Sequence, residues 1–110
     1  MTHGLSAVTV AKILGVLSRH EEVERAILYG SRAMGNFKAG SDIDLTLIGH
    51  KLDERMRGQI EEELDDLLLP YEIDLSLLAK LTHPGLIDHI RRVGVSLYER
   101  TPAALETHPA

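Results

Sequence analysis

Residues 28–47 decide the fold: Leu28-Tyr29-Gly30-Ser31-Arg32-Ala33-Met34-Gly35, then Asn36-Phe37-Lys38-Ala39, then Gly40-Ser41-Asp42-Ile43-Asp44-Leu45-Thr46-Leu47. The apolar run that leads into this stretch stops at Gly30, and a second run alternates from Asp42 onward. The first reads as a strand over 23–29 and the second as a strand over 42–48. In an alternating strand Ile43, Leu45 and Leu47 point one way and Asp42, Asp44 and Thr46 the other. The two aspartates then share a face, roughly 6–7 Å apart at the backbone. The glycine-punctuated segment between the strands reads as a loop with room for one helical turn after Ser31.

Working outward, Val10, Ile13, Leu14 and Leu17 fall at helical spacing within 5–19, behind Ser6 as N-cap. Met56, Ile60, Leu64, Leu67 and Leu68 give an apolar stripe over 53–69, with Asp53 as cap and Pro70 as stop. Residues 71–77 alternate again, with Glu72, Asp74 and Ser76 on the polar face. Pro84 opens a further helix that Gly94 ends, and 95–98 suits a short last strand. The expected fold class is α/β (α+β), a small mixed β-sheet covered by helices, as one domain over 1–100. The tail over 101–110 has two prolines and little to bury, so it is expected to fray.

The chain has 110 residues, with 44% apolar and 26% charged, an ordinary globular composition for one domain. It has no cysteine, which excludes disulfide scaffolds and thiolate metal sites. The net charge of −5 argues against a broad electrostatic grip on nucleic acid. No apolar run approaches the roughly 18 residues of a membrane span, and the opening residues carry no basic-then-apolar leader. A cytoplasmic domain without membrane or direct nucleic-acid contact is expected.

The chemistry centres on three carboxylates. Asp42 and Asp44 can converge on one ion, and Asp74 completes the cluster if its strand lies beside theirs. Clustered carboxylates repel one another unless cations neutralise them, and hard oxygen donors suit Mg²⁺ or Mn²⁺. Two such metals clamp the attacking and leaving oxygens of an in-line phosphoryl displacement. Gly30 and Ser31, at the end of a strand, have the makings of a phosphate cradle, with free amides and a hydroxyl. Each feature has a plainer reading. Two aspartates at i, i+2 can be the wet face of a strand, and Ser31 can be a helix cap. Arg32 can be an ordinary surface arginine, and His83 can cap the helix that Pro84 starts. The run Glu61-Glu62-Glu63 with Asp65-Asp66 reads as a solvated helix face.

Gly30-Ser31, ten intervening residues, then Asp42-Ile43-Asp44 resembles the signature of the DNA polymerase beta-like nucleotidyltransferases. The stretches 29–35 and 40–45 are similar to its most compact branch, the minimal nucleotidyltransferases (MNT), antitoxins of HEPN–MNT toxin–antitoxin pairs. Glu72-Ile73-Asp74-Leu75 resembles the segment with the family's third carboxylate, and the likeness spans about Ala7 to Tyr98. It departs at Met34, where the family often has a second arginine. The resemblance implies the nucleotidyltransferase fold and transfer of AMP from ATP to a tyrosine hydroxyl of a HEPN ribonuclease toxin. It implies two Mg²⁺ ions on Asp42, Asp44 and Asp74 as catalytic and metal-binding residues, with Gly30, Ser31 and Arg32 on the nucleotide. Two alternatives stay open. One is an antitoxin that neutralises by binding alone, and the other is a nucleotidyltransferase acting on a small molecule such as an antibiotic.

Overall fold

The computed structural model describes residues 4–100. The fraying expected of residues 101–110 falls outside that range. The element order is α1 (Ala7–Ser18), β1 (Arg25–Tyr29), α2 (Ser31–Met34), β2 (Ile43–Ile48), α3 (Glu54–Asp65), β3 (Ile73–Leu77), a 3₁₀ turn (Leu78–Lys80), α4 (Pro84–Val93) and β4 (Val95–Glu99). The strands form one mixed sheet in the order β3-β2-β1-β4. β1 runs antiparallel to both β2 and β4, and β2 runs parallel to β3.

The caps fall where the sequence puts them. The Ser6 side chain accepts from the Thr9 amide, Asp53 from the Met56 amide and His83 from the Leu86 amide. Each satisfies a backbone donor that the first turn of its helix would leave unpaired. The helix read over 53–69 is shorter, ending at Asp65. Leu68 instead adopts a left-handed turn, with φ 55°, and is 87% exposed rather than part of the stripe. Pro70 disfavours helical backbone at the residue before it, so the chain unwinds ahead of the proline.

Alternation divides the sheet cleanly. Ile43, Leu45 and Leu47 of β2, Ala26 and Leu28 of β1, and Leu75 and Leu77 of β3 are buried in one core. Ile13, Val16 and Leu17 of α1 and Ile60 and Leu64 of α3 complete it. Arg57 of α3 ties that layer to the edge strand, donating to the Leu75 carbonyl at 3.2 Å while paired with Glu54 and Glu61. α4 packs against the opposite face beside β1, anchored by the buried Ile90. Among the described residues no other long helix packs on that face, and the polar residues of β1, β2 and β3 stand on it. Among the described residues no helix is long and apolar enough to cross a membrane.

Candidate active site

The site is built on one rung of the open face. Tyr29 of β1 stands opposite Asp44 of β2, and Asp44 is in register with Asp74 of β3. Register could not be read from the sequence, because sliding β3 by one residue would turn Asp74 into the core. A backbone bond from the Ile43 amide to the Glu72 carbonyl, 2.9 Å, helps fix it. Asp42, ahead of β2, adds its charge near Asp44. The Asp44 pKa is raised, first by burial and then by the negative charges of Asp74 and Asp42. Asp42 and Asp74 thus both lie within electrostatic reach of Asp44.

Below this rung, Ser76 donates to Thr46 Oγ1 at 2.9 Å. The Tyr29 hydroxyl also takes part in this network through Ser76. Burial, with help from Asp74 and Asp44, raises the Tyr29 pKa, and the Ser76 bond opposes it. Tyr29, Thr46 and Ser76 were not singled out as site residues from the sequence. Strand parity with Asp44 and Asp74 is the signal for Thr46 and Ser76, whereas the place of Tyr29 depends on the β1–β2 register.

The turn that follows β1 is glycine's by necessity. Gly30 has φ 78° and ψ −156°, a conformation that side-chain-bearing residues avoid. Any Cβ there would also collide with the Asp44 carboxylate, which packs directly on Gly30. Ser31 then begins α2, a single turn ended by Gly35 with φ 84°. The Lys38 amide donates to Ser41 Oγ and the Ser41 amide donates to the Lys38 carbonyl, folding the loop that delivers Asp42.

Arg32 is not the ordinary surface arginine of its plainer reading. It is 2% exposed, and its guanidinium lies over the rings of Phe37 and Tyr71. Its Nε donates to the Ser41 carbonyl at 3.1 Å. An exposed cation would surrender part of its hydration at every encounter with an anion. Here the guanidinium is held by aromatic faces and a carbonyl, and it braces the loop immediately before Asp42. Tyr71 therefore belongs to the arginine's housing. A stacked arginine leaves no periodic trace, so sequence reading had no means of seeing it.

Carboxylates supply hard oxygen donors, and Asp74 and Asp42 add negative charge beside Asp44, whose pKa is raised first by burial and then by those charges. Both properties fit a divalent magnesium-type cation. Among the described residues, however, no three His, Cys, Asp or Glu side chains are already drawn together as a metal-binding group. Asp42 and Asp74 are exposed and Asp44 is half-buried, so the outer two have room to turn inward.

The family model described as polymerase beta, nucleotidyltransferase matches residues 11–103. The fold resembles a chain in the crystal structure of a toxin–antitoxin with AMP-PNP, with a TM-score of 0.68 and 24% identity, over 83% of this chain and 73% of that one. It also resembles a chain of the toxin–antitoxin MntA-HepT, with a TM-score of 0.65 and 21% identity, over 86% of this chain and 74% of that one. A third likeness is to a chain in the structure of a tri-AMPylated Shewanella oneidensis HEPN toxin in complex with MNT antitoxin. Its TM-score is 0.64 at 22% identity, over 91% of this chain and 76% of that one. At such identities the structures speak for the fold. No curated protein matches the sequence. The family match runs through every strand of the sheet and the whole Gly30–Asp44 segment, and the chain belongs to the polymerase beta nucleotidyltransferase family.

Proposed function

We propose that this chain is the MNT antitoxin of a HEPN–MNT pair and transfers AMP from ATP to a tyrosine hydroxyl of its HEPN toxin, silencing it. The observation that carries the reading is the register of Asp44 with Asp74 beside Gly30, on the one sheet face left open. The fold's likeness to toxin–antitoxin structures, one with AMP-PNP and one with a tri-AMPylated toxin, supports the same partner and nucleotide. ATP, Mg²⁺ and a HEPN ribonuclease would meet in the cytoplasm, where this reading places the chain.

Asp42, Asp44 and Asp74 would hold Mg²⁺, with Mn²⁺ as a substitute. Bound there, the metal would acidify the acceptor hydroxyl and screen the charge of the departing pyrophosphate. The chain's own residues do the rest by placement. Gly30 lets the backbone approach the triphosphate, with the Ser31 amide and hydroxyl beside it. In the transfer, the acceptor oxygen bonds to the α-phosphorus as the bond from that phosphorus to the α,β-bridging oxygen breaks. The hydroxyl proton leaves to solvent and pyrophosphate departs. No covalent intermediate on the protein is needed, so catalysis is positioning and electrostatics.

The test is the mass of a cognate HEPN toxin after incubation with this chain, ATP and Mg²⁺. The reading expects a gain of one or more AMP units, abolished when Asp42→Ala and Asp44→Ala are combined. An unchanged toxin mass, together with full protection by the double variant, would favour neutralisation by binding alone. Turnover of a small hydroxyl compound with no protein acceptor would favour the antibiotic-type alternative.

A further inference from the structure

Six histidines are scattered through the sequence without metal-ligand spacing, yet one of them reaches the candidate site. His89 of α4 accepts a hydrogen bond from the Gly30 backbone N–H through Nε2, at 3.2 Å. A backbone amide can only donate, so Nε2 must present a lone pair. The same ring meets Tyr29 edge-on, with centroids 6.3 Å apart and planes at 79°. His89 thus engages both residues at the joint where β1 gives way to the turn.

That joint needs a brace. Glycine loses more conformational freedom on folding than any other residue, and Gly30 must hold one uncommon conformation, φ 78° and ψ −156°. The Asp44 carboxylate rests directly against Gly30, so a shift of the turn would move a metal-ligand candidate as well. His89 is well placed to prevent such a shift. Its neighbour Ile90 is 4% exposed and fixes this turn of α4 to the sheet. The brace therefore comes from a helix outside the β1–β2 segment, across 59 residues of sequence.

We propose that His89 is a positioning residue, which fixes the Gly30–Ser31 turn for phosphate binding by accepting the Gly30 amide hydrogen. The phosphate half of this proposal rests on the nucleotidyltransferase reading, while the brace itself does not. His89→Gln offers an amide oxygen near the position of Nε2, and His89→Leu fills the space without an acceptor. Three measurements on the full chain separate the outcomes: hydrogen exchange of the Gly30 amide by NMR, the melting temperature, and calorimetric binding of ATP with Mg²⁺.

Loss of one hydrogen bond predicts about tenfold faster Gly30 exchange and about tenfold weaker ATP binding in His89→Leu, with His89→Gln recovering most of both. The two variants should melt within about 3 °C of each other, because their packing is similar and only the acceptor differs. Equal ATP affinity in wild type and His89→Leu would overturn the proposal, as would equal losses in the Gln and Leu variants. If the wild type takes up no ATP, the nucleotidyltransferase reading and the phosphate role of His89 fall together. If it takes up ATP and only the difference between variants is missing, this proposal alone falls.

Discussion

The two faces of the sheet come from the same strands and answer to opposite demands. On the packed face, Leu45 stands between Ile43 and Leu47 under α1 and α3, and all three are essentially inaccessible. On the open face, Asp44 stands one residue away, beside Asp74 and against Gly30. The packed face gains from every group it buries. The open face holds like charges together, and its central carboxylate titrates above its ordinary value because burial and its acidic neighbours disfavour ionisation. A period of two residues is thus enough to separate the buried core from the acidic face.

Substitutions on the two faces should therefore have opposite profiles, and the largest contrast comes first. Asp42→Ala with Asp44→Ala should reduce AMP transfer at least about a thousandfold, the scale for losing a major electrostatic contributor, while leaving the circular-dichroism spectrum intact. Leu45→Ala should do the reverse. It should lower unfolding free energy by about 2–5 kcal/mol, read from urea denaturation, by leaving a cavity between α1, α3 and the sheet. A double variant that unfolds, or a Leu45→Ala protein of unchanged stability, would break the division between the faces.

Gly30→Ala tests the hinge where the faces meet. The strained φ alone should lower stability by about 1–3 kcal/mol, and the new methyl group would displace the Asp44 carboxylate. Activity should then fall further than stability explains. The smallest effect on stability, and the sharpest in sign, belongs to Asp44→Asn. The folded-state pKa of Asp44 lies above its unfolded value. Its contribution to stability is present below the unfolded pKa and is lost as pH rises through the folded one. At neutral pH the ionised group works against the fold, so Asp44→Asn should slightly raise the melting temperature without metal, while abolishing transfer. At pH 3 the wild type and the variant should converge.

Much of this architecture was legible because its signals are local. Strand alternation, the caps at Ser6, Asp53 and His83, and the stop at Gly94 each depend on a few adjacent residues. The face assignments of β2 and β3 followed from parity. What stayed hidden depends on how distant pieces meet. That β2 and β3 are neighbours depends on pairing between segments about 30 residues apart. The burial of Arg32 stayed hidden because nothing in the order of residues says that Phe37 and Tyr71 will enclose it. His89 was one of six scattered histidines until α4 brought it over Gly30. Leu68 continued a helical stripe on paper, while Pro70 ended the helix early and turned that side chain outward.

The central claim is that the open face of the sheet is a magnesium-dependent nucleotide site. Titration calorimetry of the wild type with ATP, in the presence and absence of Mg²⁺, tests it most directly. The account predicts binding that requires Mg²⁺ and disappears when Asp42 and Asp44 are both replaced by asparagine. ATP uptake that is indifferent to Mg²⁺ and survives that double replacement would contradict it.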